Sequence, residues 1–563
     1  MELNVRPVDR SAVTRLIGAG HPRALARVYA GRGIMDEAQL QYRAAQAAPA
    51  NLKGMTEAVR LLLQAIRDDA RILVVADYDC DGATACAVMV RGLRSLGARQ
   101  VDFLVPNRFT DGYGLTPPIT RKVVERGADI LITVDNGISS IAGVAAAKAA
   151  GLRVIVTDHH LAGPELPEAD AILNPNQPDC PFPWKSTAGV GVAFYLILAL
   201  YRQLQEDGIP DLRNPAWLTP LVALGTVADV VPLEYNNRLL VSQGLSRWRE
   251  GHAPAGLLAL AKVSRCELET LSAQHIGFQL GPRLNAAGRM DGMTIGIRCL
   301  LSDDPDEALR LAEELDAFNK QRRVVEKEQC LDALAILGSV PTGASGLTAR
   351  LPDGHVGVIG IVAGRLREQF NRPVIVFAKD GDLLKGSGRS IPGFHLRDAL
   401  ADMATEHPEW FRSFGGHAMA AGMAIPDEYY EAFAQRFDQL AQERIPAEAL
   451  LERLETDGIL GPGEITLSLA EAVEQAGIWG QQFPEPVFMG SFDVLDRSEM
   501  KGGHLKFLLG LDNGEEVEAV LFGGGVDARQ GQRLQVAYAL GINDFRGRRL
   551  QLRLLWAEVP ADS

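Results

Sequence analysis

Five apolar residues, Ile72-Leu73-Val74-Val75-Ala76, run directly into Asp77-Tyr78-Asp79-Cys80-Asp81-Gly82, which sets three carboxylates two residues apart. An unbroken apolar run of that length reads as a strand buried on both faces, as in parallel sheets, and open α/β sheets bind ligands at the carboxyl ends of such strands. Carboxylates crowded into a partly dry site repel one another unless protons or cations neutralise them, and cations would make this a metal site. A solvated acidic turn is the competing reading of this segment alone, because Asp and Gly are ordinary turn residues.

Other segments repeat the pattern. Leu131-Ile132-Thr133-Val134 ends on Asp135-Asn136-Gly137, and Val154-Ile155-Val156-Thr157 ends on Asp158-His159-His160. A further acid, Asp229, stands in the apolar stretch Leu224–Pro232, where a lone carboxylate is costly unless it is paired or coordinated; a helix cap or a buried ion pair is the alternative. A single strand-end Asp is common and a His pair is more often structural than ligating, but three strands delivering such groups to one edge is a combination. Mixed Asp and His ligands without thiolate suit a hard to intermediate divalent ion, manganese more than magnesium. Six or more candidate ligands exceed what one ion needs, and two ions about 3.5–4 Å apart, bridged by a shared carboxylate, suit the attack of water on phosphorus.

The chain of 563 residues is too long for one core, and three or four domains are expected. Strands at Ile72–Ala76, Val101–Val105, Ile130–Val134 and Val154–Thr157 alternate with Ala-rich helical stretches, which implies an α/β fold with a parallel sheet. Residues 1–54 read as a small helical segment, 55–304 as the parallel α/β domain with a helical extension, and 305–338 as a long connector helix. Residues 339–450 read as a second α/β domain, with strands at Leu347–Leu351 and Val374–Phe377 and its glycines gathered in two loops, Gly386–Gly393 and Gly415–Gly422. In 451–563, five short runs (Phe488–Leu495, His504–Leu511, Glu515–Phe522, Leu534–Leu540 and Leu550–Ala557) fit an OB-fold-like β-barrel. No window approaches the roughly 18 apolar residues of a membrane span, and the N-terminus lacks the pattern of a secretory signal, so a cytoplasmic protein is expected. Six cysteines without a Cys-x-x-Cys pair argue against a zinc knuckle or disulfide framework. The net charge of −14 argues weakly against binding nucleic acid through the overall field but leaves room for local basic grooves.

Asp77–Gly82, Val134–Gly137, Asp158-His159-His160 and Ala228–Pro232 resemble, in order, the four signature motifs of the DHH phosphoesterase superfamily. Gly354–Ala363, Gly386–Ser390 and Gly415–Gly422 resemble its associated DHHA1 domain, while Phe109–Gly114 and Gly281–Arg289 are similar to the RecJ branch, the bacterial single-strand-specific exonucleases. The resemblance implies Asp79, Asp81, Asp135, His159 and Asp229 as metal ligands, with Asp135 as the bridge. Asp77 would complete one metal shell or orient water, His160 would touch the scissile phosphate, and Asp158 is either catalytic or a partner that fixes an imidazole. It further implies two divalent ions, manganese or magnesium, and processive release of 5′-mononucleotides from the 5′ end of single-stranded DNA in recombination and repair. Polarity rests on the resemblance alone. Implied associations are with a single-strand binding protein and a RecQ-type helicase, and the chain is read as a monomer. Two alternatives stand beside this. One is a DHH phosphodiesterase acting on short oligonucleotides, cyclic dinucleotides or polyphosphate, disfavoured by the long connector and terminal barrel. The other is an inactive single-strand-binding scaffold, disfavoured because every ligand position is filled.

For the substrate, glycine-rich loops let backbone N–H groups approach phosphate, with Ser387, Arg389 and His417 adding polar groups; tight turns are the alternative. Arg283, Asn285 and Arg289 read as a polar cluster for backbone or a terminal phosphate. Arg108 with Tyr113 reads as a clamp on the next nucleotides, unless Tyr113 is core. In the barrel, Lys501, His504, Lys506, Arg546, Arg548 and Arg549 beside Phe507 and Phe545 suggest a single-strand groove, with solvated surface charge as the equal alternative. The expected path runs from the barrel to a narrow metal cleft that excludes duplex.

Overall fold

The computed structural model of the chain describes residues 1–43, 51–108, 111–338, 343–461, 463–544 and 547–560. It forms two compact units: Leu3–Gly288, Gly292–Leu315 and Glu455–Ser563 make up the larger, and Met1–Glu2, Arg289–Asp291 and Asp316–Leu454 the smaller. The continuous helix Pro305–Leu337 contributes to both.

The larger unit carries a five-stranded sheet in the order Val101–Leu104, Ile72–Ala76, Ile130–Val134, Arg153–Thr157, Ala171–Leu173, parallel throughout. All five residues of Ile72–Ala76 and of Ile130–Val134 are buried, which is why these strands read as unbroken apolar runs rather than alternating ones. Register then does the functional placement. Ala76 pairs with Val134, Val134 with Thr157 and Thr157 with Leu173, so Asp77, Asp135 and Asp158 leave the sheet at one level. Each extends the ladder by one bond: Asp77 N–H to Val134 O at 3.3 Å, Asp135 N–H to Thr157 O at 3.0 Å and Asp158 N–H to Leu173 O at 3.0 Å.

The C-terminal part of this unit closes into a five-stranded barrel in the order Phe488–Met500, His504–Gly510, Glu516–Leu521, Arg549–Glu558, Arg533–Asn543. Its one parallel pairing joins Glu516–Leu521 to Arg549–Glu558, and the closed Greek-key order is that of an OB-fold. The N-terminal helices Arg10–Gly18 and Arg23–Ala30 are tied to the segment leading into the barrel. Arg32, almost wholly buried, forms a two-point ion pair with Asp457 (2.7 and 3.0 Å), and Tyr29 stacks near Trp479 and Phe483.

The smaller unit holds a mixed sheet in the order Ser413–Gly416, Ala420–Pro426, Leu383–Arg389, Val374–Asp380, Leu347–Leu351. Here the structure corrects the expectation of two glycine-rich loops, because Gly386 and Gly388 lie within a strand, and Gly415–Gly422 is a hairpin with strand residues on both sides of its turn. The reason is steric. A Cβ on Gly386 would stand 2.5 Å from the Phe377 ring, and one on Gly388 2.7 Å from Leu396, so these glycines make room for the core behind the sheet.

Candidate metal centre

Asp79 caps the helix Cys80–Ser95, its Oδ1 accepting from Gly82 N–H at 3.0 Å, and this cap turns the chain so that Asp77, Asp79 and Asp81 diverge around one corner. Asp81 is held from the opposite side, where the first amides of the helix Gly189–Glu206 donate to it: Gly189 N–H to Oδ2 at 2.7 Å and Val190 N–H to Oδ1 at 2.9 Å. Asp229 ends the helix Thr219–Ala228, where the negative end of the helix dipole disfavours a carboxylate without a compensating cation.

Two ligand groups result. One oxygen from each of Asp77, Asp79 and Asp135 lies within 4.8 Å of the others, and the same holds for Asp81, His159 and Asp229. His159 Nε2 links the groups, standing 3.2 Å from Asp135 Oδ1, 3.6 Å from Asp229 Oδ2 and 3.9 Å from Asp81 Oδ2. Asp135, His159 and His160 form a third such set. Asp135 takes φ of 60°, the left-handed region that Asp tolerates better than most residues, and its buried Oδ1 accepts no hydrogen bond from the described residues. An ionised oxygen left that way is costly, and a divalent cation is what this oxygen-rich, thiolate-free donor set fits.

The electrostatics agree. Burial first, and the neighbouring carboxylates second, push Asp77, Asp135 and Asp229 well above the usual carboxyl range, and the same two causes raise Asp81 to about 7 against its two amide bonds. Asp158 behaves oppositely. Burial would raise its carboxyl, but the hydrogen bond from His160 and the charges of both imidazoles outweigh it and hold Asp158 below its ordinary value. Its Oδ1 accepts from the amides of His159 (2.7 Å) and His160 (3.1 Å) and meets His160 Nδ1 at 2.7 Å, while Oδ2 accepts from Ile138 N–H at 2.9 Å. With its oxygens so engaged, Asp158 orients His160 and stands in none of the ligand groups. His160 in turn is raised to about 9, because its bond to Asp158 and the surrounding carboxylates overcome the opposing effect of burial.

Glycines and amides that the sequence did not single out shape the centre. A Cβ on Gly225 would stand 2.1 Å from Thr84 Oγ1 and 2.9 Å from Asp81 Oδ1. Asn174 Nδ2 donates to His160 O at 2.9 Å and Asn176 Nδ2 to His159 O at 2.6 Å; the Asn-Pro-Asn turn after the fifth strand was the available signal. Tyr78, inside the first motif, also borders the centre. Arg108 lies 4.4 Å above its ring and Tyr113 meets it edge-on at 5.9 Å. Tyr113 is exposed rather than core, with its hydroxyl 3.5 Å from His160 Nε2, so Arg108, Tyr78 and Tyr113 border the centre together.

The remaining expected substrate residues are placed differently. Arg283 and Asn285 are two positions apart on the helix Gly281–Met290 and so point to opposite sides, which breaks the expected cluster. Asn285 Oδ1 accepts from Cys80 N–H at 2.9 Å and braces the acidic turn, and Arg283 donates to Gln279 O. Arg289, Ser387, Arg389 and His417 belong to the smaller unit. There Arg289 donates to Gly357 O at 3.3 Å, Arg389 to Ser387 Oγ at 3.3 Å, and His417 sits exposed at the hairpin turn. In the barrel, Phe507 is core, Lys506 pairs with Glu518 at 2.7 Å, and Arg548 pairs with Glu471 and Glu474, so these three do not form the expected groove. His504 accepts from Gly523 N–H and meets the exposed Phe522 edge-on, while Lys501 and Arg549 are exposed. Phe545 and Arg546, like Phe109 and Thr110, lie outside the described residues.

Residues 71–226 match the family model of the DHH family N-terminal domain, 343–443 that of the DHHA1 domain and 456–555 that of the RecJ OB domain. The chain is 46% identical over 566 residues to the single-stranded-DNA-specific exonuclease RecJ of Escherichia coli, covering 98% of this chain and 97% of that one. Among solved structures, that of RecJ from Thermus thermophilus in complex with Mn2+ superposes with a TM-score of 0.85 at 30% identity, over 99% of this chain and 80% of that one. The Mg2+ complex from the same organism gives 0.79 at 28%, over 99% and 78%.

Proposed function

This chain belongs to the RecJ family of DHH phosphoesterases, and from that membership and its own ligand groups we infer how it works as a single-stranded-DNA-specific exonuclease. It releases 5′-mononucleotides stepwise from the 5′ end, water adding to phosphorus as the bond to the 3′ oxygen breaks. The observation that carries the reading is the orphaned Oδ1 of Asp135 between two carboxylate-rich groups at the carboxyl edge of the sheet. Asp77, Asp79 and Asp135 would hold one divalent ion, and Asp81, His159 and Asp229, together with Asp135, would hold the other. Manganese or magnesium bound there would supply a nucleophilic water at neutral pH and neutralise charge on the phosphate. His160, kept as an imidazolium by Asp158, donates to a phosphate oxygen next to the scissile bond.

Tyr113 and the Tyr78–Arg108 pair offer ring faces and charge to the first nucleotides without reading their sequence. Ser387, Arg389, Arg289 and His417 are polar groups of the smaller unit able to bind phosphate. The protein acts in the cytoplasm in recombination and repair, alongside a single-strand binding protein and a RecQ-type helicase; the support for these is family membership. Among the described residues no helix is long and apolar enough to cross a membrane.

Digestion of strands labelled at either end, single or annealed, with manganese or magnesium added to metal-free protein tests the reading. Mononucleotides are expected from the 5′ end of the single strand only. Equal release from blunt duplex, or undiminished release by Asp81→Ala, sinks it.

A further inference from the structure

The helix Cys80–Ser95 has the acidic turn at its first end, and at its other end the molecule opens a cleft of about 600 Å³ whose wall has the opposite charge. Arg91, Arg94, Arg213, Arg247, Trp217 and His252 line it, with Asp303 as the single carboxylate in the wall. Arg91 is committed to structure. It pairs with Asp303 at 2.7 Å and donates to Leu300 O and Ser302 O, while Arg94 donates to Val101 O at 2.7 Å. Arg213 lies over Trp217, its Cζ 3.9 Å from the ring centre, but neither its guanidinium nor that of Arg247 has a hydrogen-bond or ion-pair partner among the described residues. The indole N–H of Trp217 is buried and donates to nothing among the described residues.

The cleft is therefore a surplus of donors lacking an acceptor. Arginine cannot shed its proton to relieve the crowding, so four guanidinium groups remain charged against one carboxylate in a chain whose overall charge is −14. The carboxyl end of the helix offsets only about half a charge. His252 faces Glu250 at 3.3 Å, which occupies the imidazole and leaves the two free arginines as they are. A phosphate group, with oxygens on several sides, matches donors arriving from Arg213 and Arg247 better than the two coplanar oxygens of a carboxylate do.

We propose that this cleft is a second phosphate site, taking the phosphate of a nucleotide either as a unit of a bound single strand or as a free mononucleotide. The helix of 16 residues separates it from the carboxylate centre by roughly 24 Å, at about 1.5 Å per residue. It is distinct from the place where phosphodiester bonds are cut, and it stands on its own residues whatever the polarity of digestion.

The test compares full-length wild type with R213A/R247A and R213Q/R247Q, all freed of metal so that nothing is hydrolysed during binding. Probes are oligothymidylates of about 30 and about four nucleotides, dTMP, inorganic phosphate and hexaglutamate. If the strand is the source, both variants bind the long strand about tenfold or more weakly, and the salt slope shrinks by about 1.4 for two lost contacts. If the free nucleotide is the source, calorimetric binding of dTMP or phosphate to wild type disappears in both variants. Metal-restored hydrolysis of the short strand, unchanged in the variants, reports an intact fold. Wild-type-like binding of every phosphate probe by both variants overturns the proposal, as does loss of hexaglutamate binding alone.

Discussion

Gly189 stands so close to Asp135 that a β-carbon on it would lie 2.6 Å from Oδ1, a buried carboxylate oxygen of the centre that accepts no hydrogen bond from the described residues. The same glycine donates its amide to Asp81 at 2.7 Å. Gly189→Ala is therefore expected to displace the Asp135 oxygen proposed to serve both ions while leaving the apolar packing of its helix in place. Manganese affinity should fall by about 10–100-fold, and exonuclease activity with it, at unchanged circular dichroism. Calorimetric titration of the metal checks this.

Asp158 and His160 form a pair in which the carboxylate sets both the orientation and the charge of the imidazole. With Asp158→Asn, the folded-state value of His160 should drop from about 9 toward its ordinary value of about 6.5. In the metal-free protein, the His160 ring signal in NMR should titrate at correspondingly lower pH. Activity at pH 8 should fall more steeply than at pH 6, because only the variant has lost the imidazolium there. A signal that stays near 9 would show that other groups set its charge.

Stability of the metal-free protein should depend on pH in a direction opposite to that of most carboxylate-rich proteins. Asp81 is raised in the fold, so between its ordinary value of 3.8 and about 7 the unfolded chain has lost a proton that the folded chain keeps. The unfolded state binds fewer protons in that window, and stability falls as pH rises through it. Asp77, Asp135 and Asp229 shift the same way and add to the loss. Saturating manganese should remove this dependence, since a bound cation stabilises the ionised acids. Thermal unfolding with and without EDTA from pH 4 to pH 8 measures it.

The ion pair of Arg32 and Asp457 is almost completely buried, and removing one partner leaves the other charge without compensation. Asp457→Ala should cost about 3–5 kcal/mol in denaturant unfolding, whereas Arg32→Met with Asp457→Leu should recover most of that. Manganese binding at the distant carboxylates should be unaffected in whatever fraction folds.

Gly388→Ala separates the steric reading of that strand from the phosphate-cradling one. Its new methyl group would press on Leu396 and Ile375 behind the sheet, at 2.7 and 3.2 Å, so a loss of about 1–3 kcal/mol in stability is expected. Substrate affinity should change little at a temperature where the variant is folded. Weakened binding without loss of stability would favour the cradle.

The legible parts of this protein were those where local chemistry and burial agree. Ile72–Ala76 and Ile130–Val134 were readable to the residue because strands buried on both faces must be apolar throughout, and the acids that end them were conspicuous by contrast. Leu383–Arg389 was illegible as a strand because Gly386 and Gly388 carry no β-propensity; they answer to Phe377 and Leu396, which come from elsewhere in the fold. Phe507 looked available for stacking beside Lys506, but strand alternation turns it into the barrel core. Asn285 looked like a substrate group and instead braces Cys80, 205 residues away in sequence.

By itself the sequence determined the donor set, carboxylates and imidazoles without thiolate, and the parallel strands that would carry it, because both depend on residue type and short-range pattern. Only the tertiary structure decided the partition of those donors. Sheet register brings Asp77, Asp135 and Asp158 to one level, a helix arriving from residue 189 engages Asp81, and the amides around Asp158 remove it from the ligands and give it to His160. These are distances between residues far apart in the chain. They follow from how strands pair and helices pack, which no local run of residues encodes.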